Sequence, residues 1–154
     1  MRKSNQGITL VEIMLVLSIL AVFATLSIPP FTRFVQTSRL SGQANQMLGQ
    51  LRAARRAAIM KNIHTVFTLD TANHRYFYFE DENGDGNWNS TEYRSAVIDL
   101  PPGIILQAHT FSQPAIFFEP KGNATESGTI VMQNIRNHQR TISVFGGTGN
   151  ASVR

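Results

Sequence analysis

The sequence predicts an α+β protein in which one long N-terminal helix packs on an antiparallel β-sheet. From residue 8 to about residue 62, apolar residues recur at spacings of three and four, which is the period of a helix. From residue 64 onward the period becomes two, β-branched and aromatic residues dominate, and no helical stretch interrupts the strands. The length of 154 residues, of which 42% are hydrophobic, suits one modest domain.

The N-terminal segment combines a short basic leader with a long apolar run. Residues 1–7 carry Arg2 and Lys3 and no acid, and Glu12 is the only charge in residues 8–28. A helix of this length, at about 1.5 Å per residue, can cross a bilayer core about 30 Å thick. A cleaved secretory signal and a plain single-pass anchor share this outline. Neither explains a carboxylate near one end of a membrane segment, where an ionisable group is costly.

The second half of the helix is amphipathic. Its apolar stripe consists of Leu40, Ala44, Met47, Leu48, Leu51, Ala54 and Ala58. Pro29 and Pro30 predict a kink or local unwinding between the two halves, because each proline removes a backbone donor. A helix of about 55 residues would be about 80 Å long, so we expect its first half to be buried in lipid or in neighbouring subunits.

The strands are short and are separated by turns rich in Gly, Pro and Asn. Seven are predicted, at residues 64–69, 74–80, 94–100, 104–110, 115–119, 128–133 and 140–145. With no helices between them, they should form one antiparallel sheet that packs on the amphipathic half of the helix.

Charge and composition exclude several classes of function. The formal net charge of +4 is too small to indicate nucleic-acid binding by itself, and the absence of cysteine excludes disulfides, thiolate metal sites and cysteine nucleophiles. The four histidines are scattered and form no HExxH motif, so the sequence predicts no enzyme. Residues 33–61 contain only basic charges, whereas residues 70–99 are strongly acidic.

The acidic segment fits the calcium-loop pattern D-x-[DN]-x-[DN]-G-x5-E between residues 81 and 92. Hard oxygen donors at this spacing suit calcium. The predicted ligands are the side chains of Asp81, Asn83, Asp85 and Glu92 and the carbonyl of Asn87. The flanking residues are strand-like, so this would be a calcium loop within a β-hairpin. The alternative is a solvated acidic turn without metal, because Asn-Gly and Asp-Gly both favour tight turns.

The leader and the apolar run together resemble the class III signal of type IV pilins and pseudopilins. The match consists of the short basic leader at residues 2–7, which ends in Gly7, the hydrophobic start at Ile8, and Glu12. The resemblance implies that a membrane prepilin peptidase cuts after Gly7 and methylates the new amine of Ile8. It also implies that Glu12 acts in assembly. Isoleucine stands at position 8, where phenylalanine or methionine is commoner in that family.

Electrostatics gives Glu12 a role that does not depend on the resemblance. After cleavage, the amine of one subunit can meet the Glu12 carboxylate of its neighbour in a low-dielectric bundle, which relieves the desolvation cost of both groups. The alternative is a carboxylate that only complements the dipole of its own helix.

The C-terminal half narrows the resemblance to GspH/FimT-like minor pilins. Residues 118–122 read F-E-P-K-G, and residues 128–131 read G-T-I-V. The resemblance implies a pilin fold composed of a leader at 1–7, a transmembrane and filament-core helix at 8–30, an amphipathic half at 31–62 and a β domain at 63–154. It implies a subunit that helps to initiate or cap a type IV pilus or a type II secretion pseudopilus, and the sequence does not choose between these two filaments.

The resemblance also predicts partners and location. We expect other pilins or pseudopilins, the prepilin peptidase and an inner-membrane assembly platform as partners. The precursor is expected in the bacterial inner membrane, with its globular domain in the periplasm before assembly into the filament.

DNA binding is the alternative function. Arg136, Arg140 and Arg154 lie towards the C-terminus and would bring phosphate-binding charge together if the fold places them side by side. Some FimT-like pilins take up DNA through an arginine motif that resembles G-R-x-R. Only Arg154 remains of that motif in this tail, which makes DNA the weaker interpretation.

Overall fold

The structure, a computed structural model, describes residues 7–154, with the side chains of residues 25–31 left out. The chain divides into two compact units, Met1–Gln36 and Thr37–Arg154. Helix α1, Leu10–Lys61, contributes to both units. Eight strands follow it in the second unit, so the α+β class predicted from the sequence is confirmed.

Helix α1 is continuous through Pro29 and Pro30, so the expectation of local unwinding at these residues is wrong. Two prolines remove only two backbone donors, and the hydrogen bonds of the turns on either side still hold the helix. A kink angle at this point stays a prediction. In the part of the chain that the structure describes, no helix has both the length and the apolar character needed to cross a membrane. The side chains of residues 25–28, the last four of the span predicted at residues 8–28, lie outside the described part of the structure.

The strands form two four-stranded antiparallel sheets, where one sheet was expected. The first sheet has the order β3-β2-β1-β5, and the second has the order β4-β6-β7-β8. The strands are β1 (His64–Asp70), β2 (Arg75–Asp81), β3 (Ile98–Asp99), β4 (Ile104–His109), β5 (Ala115–Phe118), β6 (Gly128–Asn134), β7 (Gln139–Phe145) and β8 (Asn150–Val153). A period of two identifies the two faces of a strand, but it does not identify the strand's neighbours.

Two strands differ from the sequence prediction. The strand expected at residues 94–100 shortens to β3. Arg94 pairs with Phe79 of β2 through an isolated antiparallel bridge, and beyond it the Ser95 hydroxyl accepts the Tyr78 N–H at 3.0 Å in place of a backbone carbonyl. Strand β8 was not predicted, because a short Asn-Ala-Ser-Val stretch carries little apolar alternation. It forms by pairing with β7, in which Ala151 lies opposite Val144.

The predicted apolar stripe of α1 forms one wall of the core, and all seven of its residues are buried. Both sheets supply the opposite wall. The first sheet contributes Phe67, Tyr76, Ile116 and Phe118, and the second contributes Leu106, Ile130, Met132 and Ile142. The C-terminal part of α1 therefore holds the two sheets together.

Polar contacts join the end of α1 to the loops and strands around it. The Arg55 Nε donates to the carbonyl of Gly122 at 2.8 Å, and the buried Thr65 hydroxyl donates to the carbonyl of Ala54 at 3.0 Å. Gly122 has a φ of +84°, and a Cβ added at Gly149 would overlap the Gly122 carbonyl. The glycine that ends the F-E-P-K-G stretch is therefore required by a left-handed backbone beside a second, closely packed loop.

Candidate functional site

The acidic loop is the connection that leaves β2 and returns along it. The Glu80 N–H donates to the carbonyl of Tyr93 at 2.9 Å, and the Ser95 N–H donates to the carbonyl of Tyr78 at the same distance. Residues 82–92 thus form the tip of a hairpin, as the strand-like flanks predicted.

The loop also packs on the outer face of the first sheet. Val66 and Phe79 pair across β1 and β2 on the face opposite the main core, yet only 1% and 2% of their surfaces are exposed. A Cβ added at Gly86 would stand 3.1 Å from the ring of Phe117 on β5, so the loop backbone lies directly against this face. The loop is therefore a packed layer of the fold.

An arginine and two aromatic rings complete this layer. The Arg94 guanidinium lies 4.2 Å from the centroid of the Trp88 ring and 5.5 Å from that of Phe77. Both distances suit cation–π attraction. Sequence reasoning assigned no role to these three residues, although the alternation of aromatic residues along β2 places Phe77 on the outer face.

Asp81 organises the first half of the loop. Its side chain is almost fully buried, and its carboxylate accepts three backbone N–H groups: those of Gly84 at 2.8 Å, Asp85 at 3.1 Å and Gly86 at 3.0 Å. Gly84 and Gly86 have φ values of +74° and +73°, which a residue with a side chain rarely adopts. These two glycines allow the backbone to wrap around the Asp81 carboxylate.

Glu92 closes the second half of the loop. It is 7% exposed, and its carboxylate accepts the Glu82 N–H at 3.2 Å and the Asn89 N–H at 3.1 Å. The Trp88 indole N–H donates to the Glu92 carbonyl at 3.3 Å. Glu92 therefore joins the two ends of the loop and positions the tryptophan of the outer layer.

The other predicted ligands are exposed and bond mainly to one another. The Asn83 Nδ2 donates to one carboxylate oxygen of Asp85 at 2.9 Å, and the Asn87 N–H donates to the other at 2.7 Å. Across residues 7–154 as described, no three His, Asp or Glu side chains are grouped closely enough to hold a metal ion. The carboxylates face backbone and side-chain N–H donors instead, and calcium binding stays a prediction.

The N-terminal candidate site is the first turn of α1. The Thr9 hydroxyl accepts the Glu12 N–H at 3.2 Å, so Thr9 is the N-cap of a helix whose first helical residue is Leu10. Thr9 and Glu12 have the T-x-x-E spacing of a capping box. Glu12 is exposed in this first turn, where a negative charge complements the helix dipole.

The apolar side chains that follow Glu12 are exposed on all sides of the helix. Between Ile8 and Phe23, the exposed fraction of the large hydrophobic side chains at the surface ranges from 45% for Val16 to 79% for Leu10. Apolar side chains on all sides distinguish this part of the helix from its amphipathic second half.

The sequence places most of this chain in one family. The model of the family described as type II transport protein GspH matches residues 43–148. The chain belongs to the GspH family. The prokaryotic N-terminal methylation motif matches residues 2–28, which contain the predicted leader and Glu12. No protein of curated function matches this GspH-family chain in sequence.

Solved structures share the fold. The minor pseudopilin EpsH from the type 2 secretion system of Vibrio cholerae is 16% identical with a TM-score of 0.61, over 75% of this chain and 96% of that chain. A second structure of EpsH from Vibrio cholerae is 15% identical with a TM-score of 0.59, over 78% of this chain and 97% of that chain. The type IV minor pilin FimU of Pseudomonas aeruginosa is 13% identical with a TM-score of 0.60, over 79% and 92%. This GspH-family chain is a minor pilin or pseudopilin subunit and not an enzyme.

The arginines proposed for DNA do not form one surface in this GspH-family fold. The Arg140 Nε donates to the Ser41 hydroxyl of α1 at 3.1 Å, so Arg140 points towards the helix. Arg154 lies opposite Thr141 and pairs with it through two backbone hydrogen bonds, which puts its side chain on the other face of the second sheet. Arg136 lies in the turn between β6 and β7. The DNA-binding alternative therefore finds no support.

Proposed function

We propose that this minor pilin or pseudopilin is made as a membrane precursor, cut between Gly7 and Ile8, and assembled into its filament through the N-terminal part of α1. The observation that carries the proposal is the apolar surface of residues 8–24, which is exposed on every side of the helix. Burial of apolar surface stabilises by about 25 cal/mol per Å². Lipid before assembly and neighbouring helices after it would both supply this burial.

Glu12 is the residue we assign to assembly. Cleavage after Gly7 leaves a charged amine at Ile8, two residues before the helix begins. The Thr9 hydroxyl caps the Glu12 N–H, and the Glu12 carboxylate itself is exposed in the first turn of the helix. In an apolar bundle, the carboxylate would gain most by pairing with the amine of a neighbouring subunit.

The same proposal includes the other partners and the location. Arg2 and Lys3, which lie outside the described residues, keep the leader on the cytoplasmic side by the positive-inside rule. The unit Thr37–Arg154 would then lie in the periplasm. A prepilin peptidase would process the leader, and an inner-membrane platform would receive the mature subunit.

The test compares Glu12→Ala with Glu12→Asp in cells that contain the assembly machinery. We expect both variants to be processed, and the intact mass of the wild-type filament protein to show a start at Ile8, with N-methylation. Glu12→Ala should be absent from filaments, whereas Glu12→Asp should be partly retained. The control is Asp99→Asn, which removes a carboxylate from the exposed edge strand β3. Normal incorporation of Glu12→Ala, or a mature start after residue 28, would contradict the proposal.

We also infer that the acidic loop binds calcium. Three features support the inference: the hard oxygen donors of Asp81, Asn83, Asp85 and Glu92, the presence of Asn87 at the seventh position of the calcium-loop pattern, and the left-handed glycines that curve the loop. A hairpin turn without a metal ion does not require a glutamate at the twelfth position of the calcium-loop pattern, where Glu92 stands. When bound, the ion would neutralise the carboxylates of Asp81, Asp85 and Glu92.

A further inference from the structure

The acidic loop contains the single Asn-Gly pair of the sequence, Asn83-Gly84. Glycine has no side chain to block its own backbone nitrogen, so such a pair is open to an intramolecular reaction. The Gly84 nitrogen bonds to Cγ of Asn83 and loses its proton, the bond from Cγ to the side-chain nitrogen breaks, and ammonia leaves. Water then opens the resulting succinimide ring to aspartate or to isoaspartate.

The structure holds the nucleophile of this reaction in another hydrogen bond. The Gly84 N–H donates to Oδ1 of Asp81 at 2.8 Å. Asp81 is 4% exposed and also accepts the N–H groups of the next two residues, so its carboxylate is fixed in place. A negative charge next to the Gly84 N–H opposes the loss of the proton that the reaction requires.

The electrophile is held as well. The Asn83 Oδ1 accepts the Asp85 N–H at 3.0 Å, and the Asn83 Nδ2 donates to the Asp85 carboxylate at 2.9 Å. Both ends of the Asn83 amide thus bond to the residue after Gly84. The side chain must leave Asp85 before Cγ can approach the Gly84 nitrogen.

We infer that Asn83 is a site of spontaneous deamidation, and that Asp81 and Asp85 restrict the reaction to moments when the loop opens. Asn83 and Gly84 are both exposed, so water reaches the site once the hydrogen bonds break. An aspartate product adds a fourth acidic side chain to residues 81–85. An isoaspartate product lengthens the backbone by one methylene in the loop that covers the outer face of the first sheet.

The experiment follows deamidation of the full-length chain in detergent with a chelator present, so that its outcome does not depend on calcium. Peptide mapping by mass spectrometry measures the conversion of the Asn83 side-chain amide to a carboxyl group. A free peptide of residues 79–92 gives the rate without the fold. Because the reaction proceeds from the opened loop, we expect the intact chain to react at least about tenfold more slowly than the peptide.

Variants distinguish the effect of the hydrogen bonds on the deamidation rate from the effect of the loop's negative charge. Asp81→Ala should react several-fold faster than wild type, and Asp85→Ala should also react faster because it releases the Asn83 amide. Glu82→Gln is the matched control, because it removes a neighbouring carboxylate that accepts neither the Gly84 N–H nor the Asn83 amide. The deamidation rate of this variant should equal that of wild type. Circular dichroism establishes which variants are folded. The inference fails if the intact chain matches the peptide, or if folded Asp81→Ala or Asp85→Ala reacts at the wild-type rate.

Discussion

Asp70 illustrates how single side chains stabilise the turns of this protein. In the turn between β1 and β2, its carboxylate accepts the Asn73 Nδ2 at 2.9 Å, the Asn73 N–H at 3.0 Å and the Arg75 Nε at 2.7 Å. The hydrogen bonds from Asn73 and then the one from Arg75 lower the pKa of Asp70 from 3.8 to about 2. All of these interactions favour the charged form in the folded state.

The pH dependence of stability follows from this pKa. Because the pKa of Asp70 is depressed in the folded state, its contribution is present above pH 3.8 and is lost as the pH falls to about 2. We expect Asp70→Asn to be less stable than wild type above this window and to lose less stability across it. Thermal melts between these pH values measure the difference. Asp99→Asn is the control, and parallel curves for Asp70→Asn and wild type would contradict the prediction.

The calcium prediction rests on Glu92. An ion that binds only the folded state at about a hundred times its Kd stabilises that state by about 2.7 kcal/mol. For a chain that starts at residue 31, calcium should then raise Tm by about 10 °C, with magnesium much less effective. Glu92→Ala should lose most of this shift. Equal Tm values in calcium and in chelator, or a full shift in Glu92→Ala, would identify the segment as a metal-free acidic turn.

At the scale of elements, α1 contains two glycines that its packing does not require. A Cβ added at Gly42 or Gly49 would meet no atom within 4 Å, and both residues are exposed. Glycine in a helix interior costs about 1 kcal/mol relative to alanine. Gly149 is the opposite case, because its φ is +62° and a Cβ there would overlap the Gly122 carbonyl.

The difference between these glycines predicts that replacement by alanine has opposite effects on stability at the two kinds of position. Gly42→Ala with Gly49→Ala should stabilise the fold by about 1 to 2 kcal/mol and raise Tm by several degrees. Gly149→Ala should lower Tm, because the backbone must move to admit the side chain. Denaturant titration of the chain that starts at residue 31 gives the free energies of unfolding. A double variant that is less stable than wild type would show that the helix surface has contacts the structure lacks.

At the scale of the whole molecule, the two units have different requirements. Among the side chains that the structure describes, the hydrophobic core begins at Leu40 and lies in the unit Thr37–Arg154. The described side chains from Ile8 to residue 24 are exposed and are mainly apolar. The unit Thr37–Arg154 therefore contains its own core, whereas burial of the apolar surface of residues 8–24 belongs to the assembly that we propose.

Truncation tests this division. A chain that lacks residues 1–30 should unfold cooperatively and stay monomeric in buffer, because it keeps the whole core and loses the exposed apolar surface. The full-length chain should need detergent. Circular dichroism melts and analytical ultracentrifugation measure both properties. A truncated chain without a cooperative transition would mean that residues 7–30 contribute to the core.

The sequence by itself determined the helix, the residues of its buried stripe and most of the strands. These follow from periodicity, which is local: Leu40, Met47 and Leu51 share a helical face in any fold that keeps the helix. The leader, Gly7 and Glu12 form a local pattern as well, and this pattern together with the motifs at residues 118–131 led to the family.

Only the tertiary structure decided which strands pair and what the acidic loop covers. The separation into two sheets and the addition of β8 depend on contacts between distant residues, such as Ala151 with Val144, which a period of two does not encode. The burial of Phe79 on the outer face depends on the fold of residues 82–92. The carboxylates of Asp81 and Glu92 match an ion site in spacing, and their three-dimensional surroundings are backbone N–H groups that the motif does not contain.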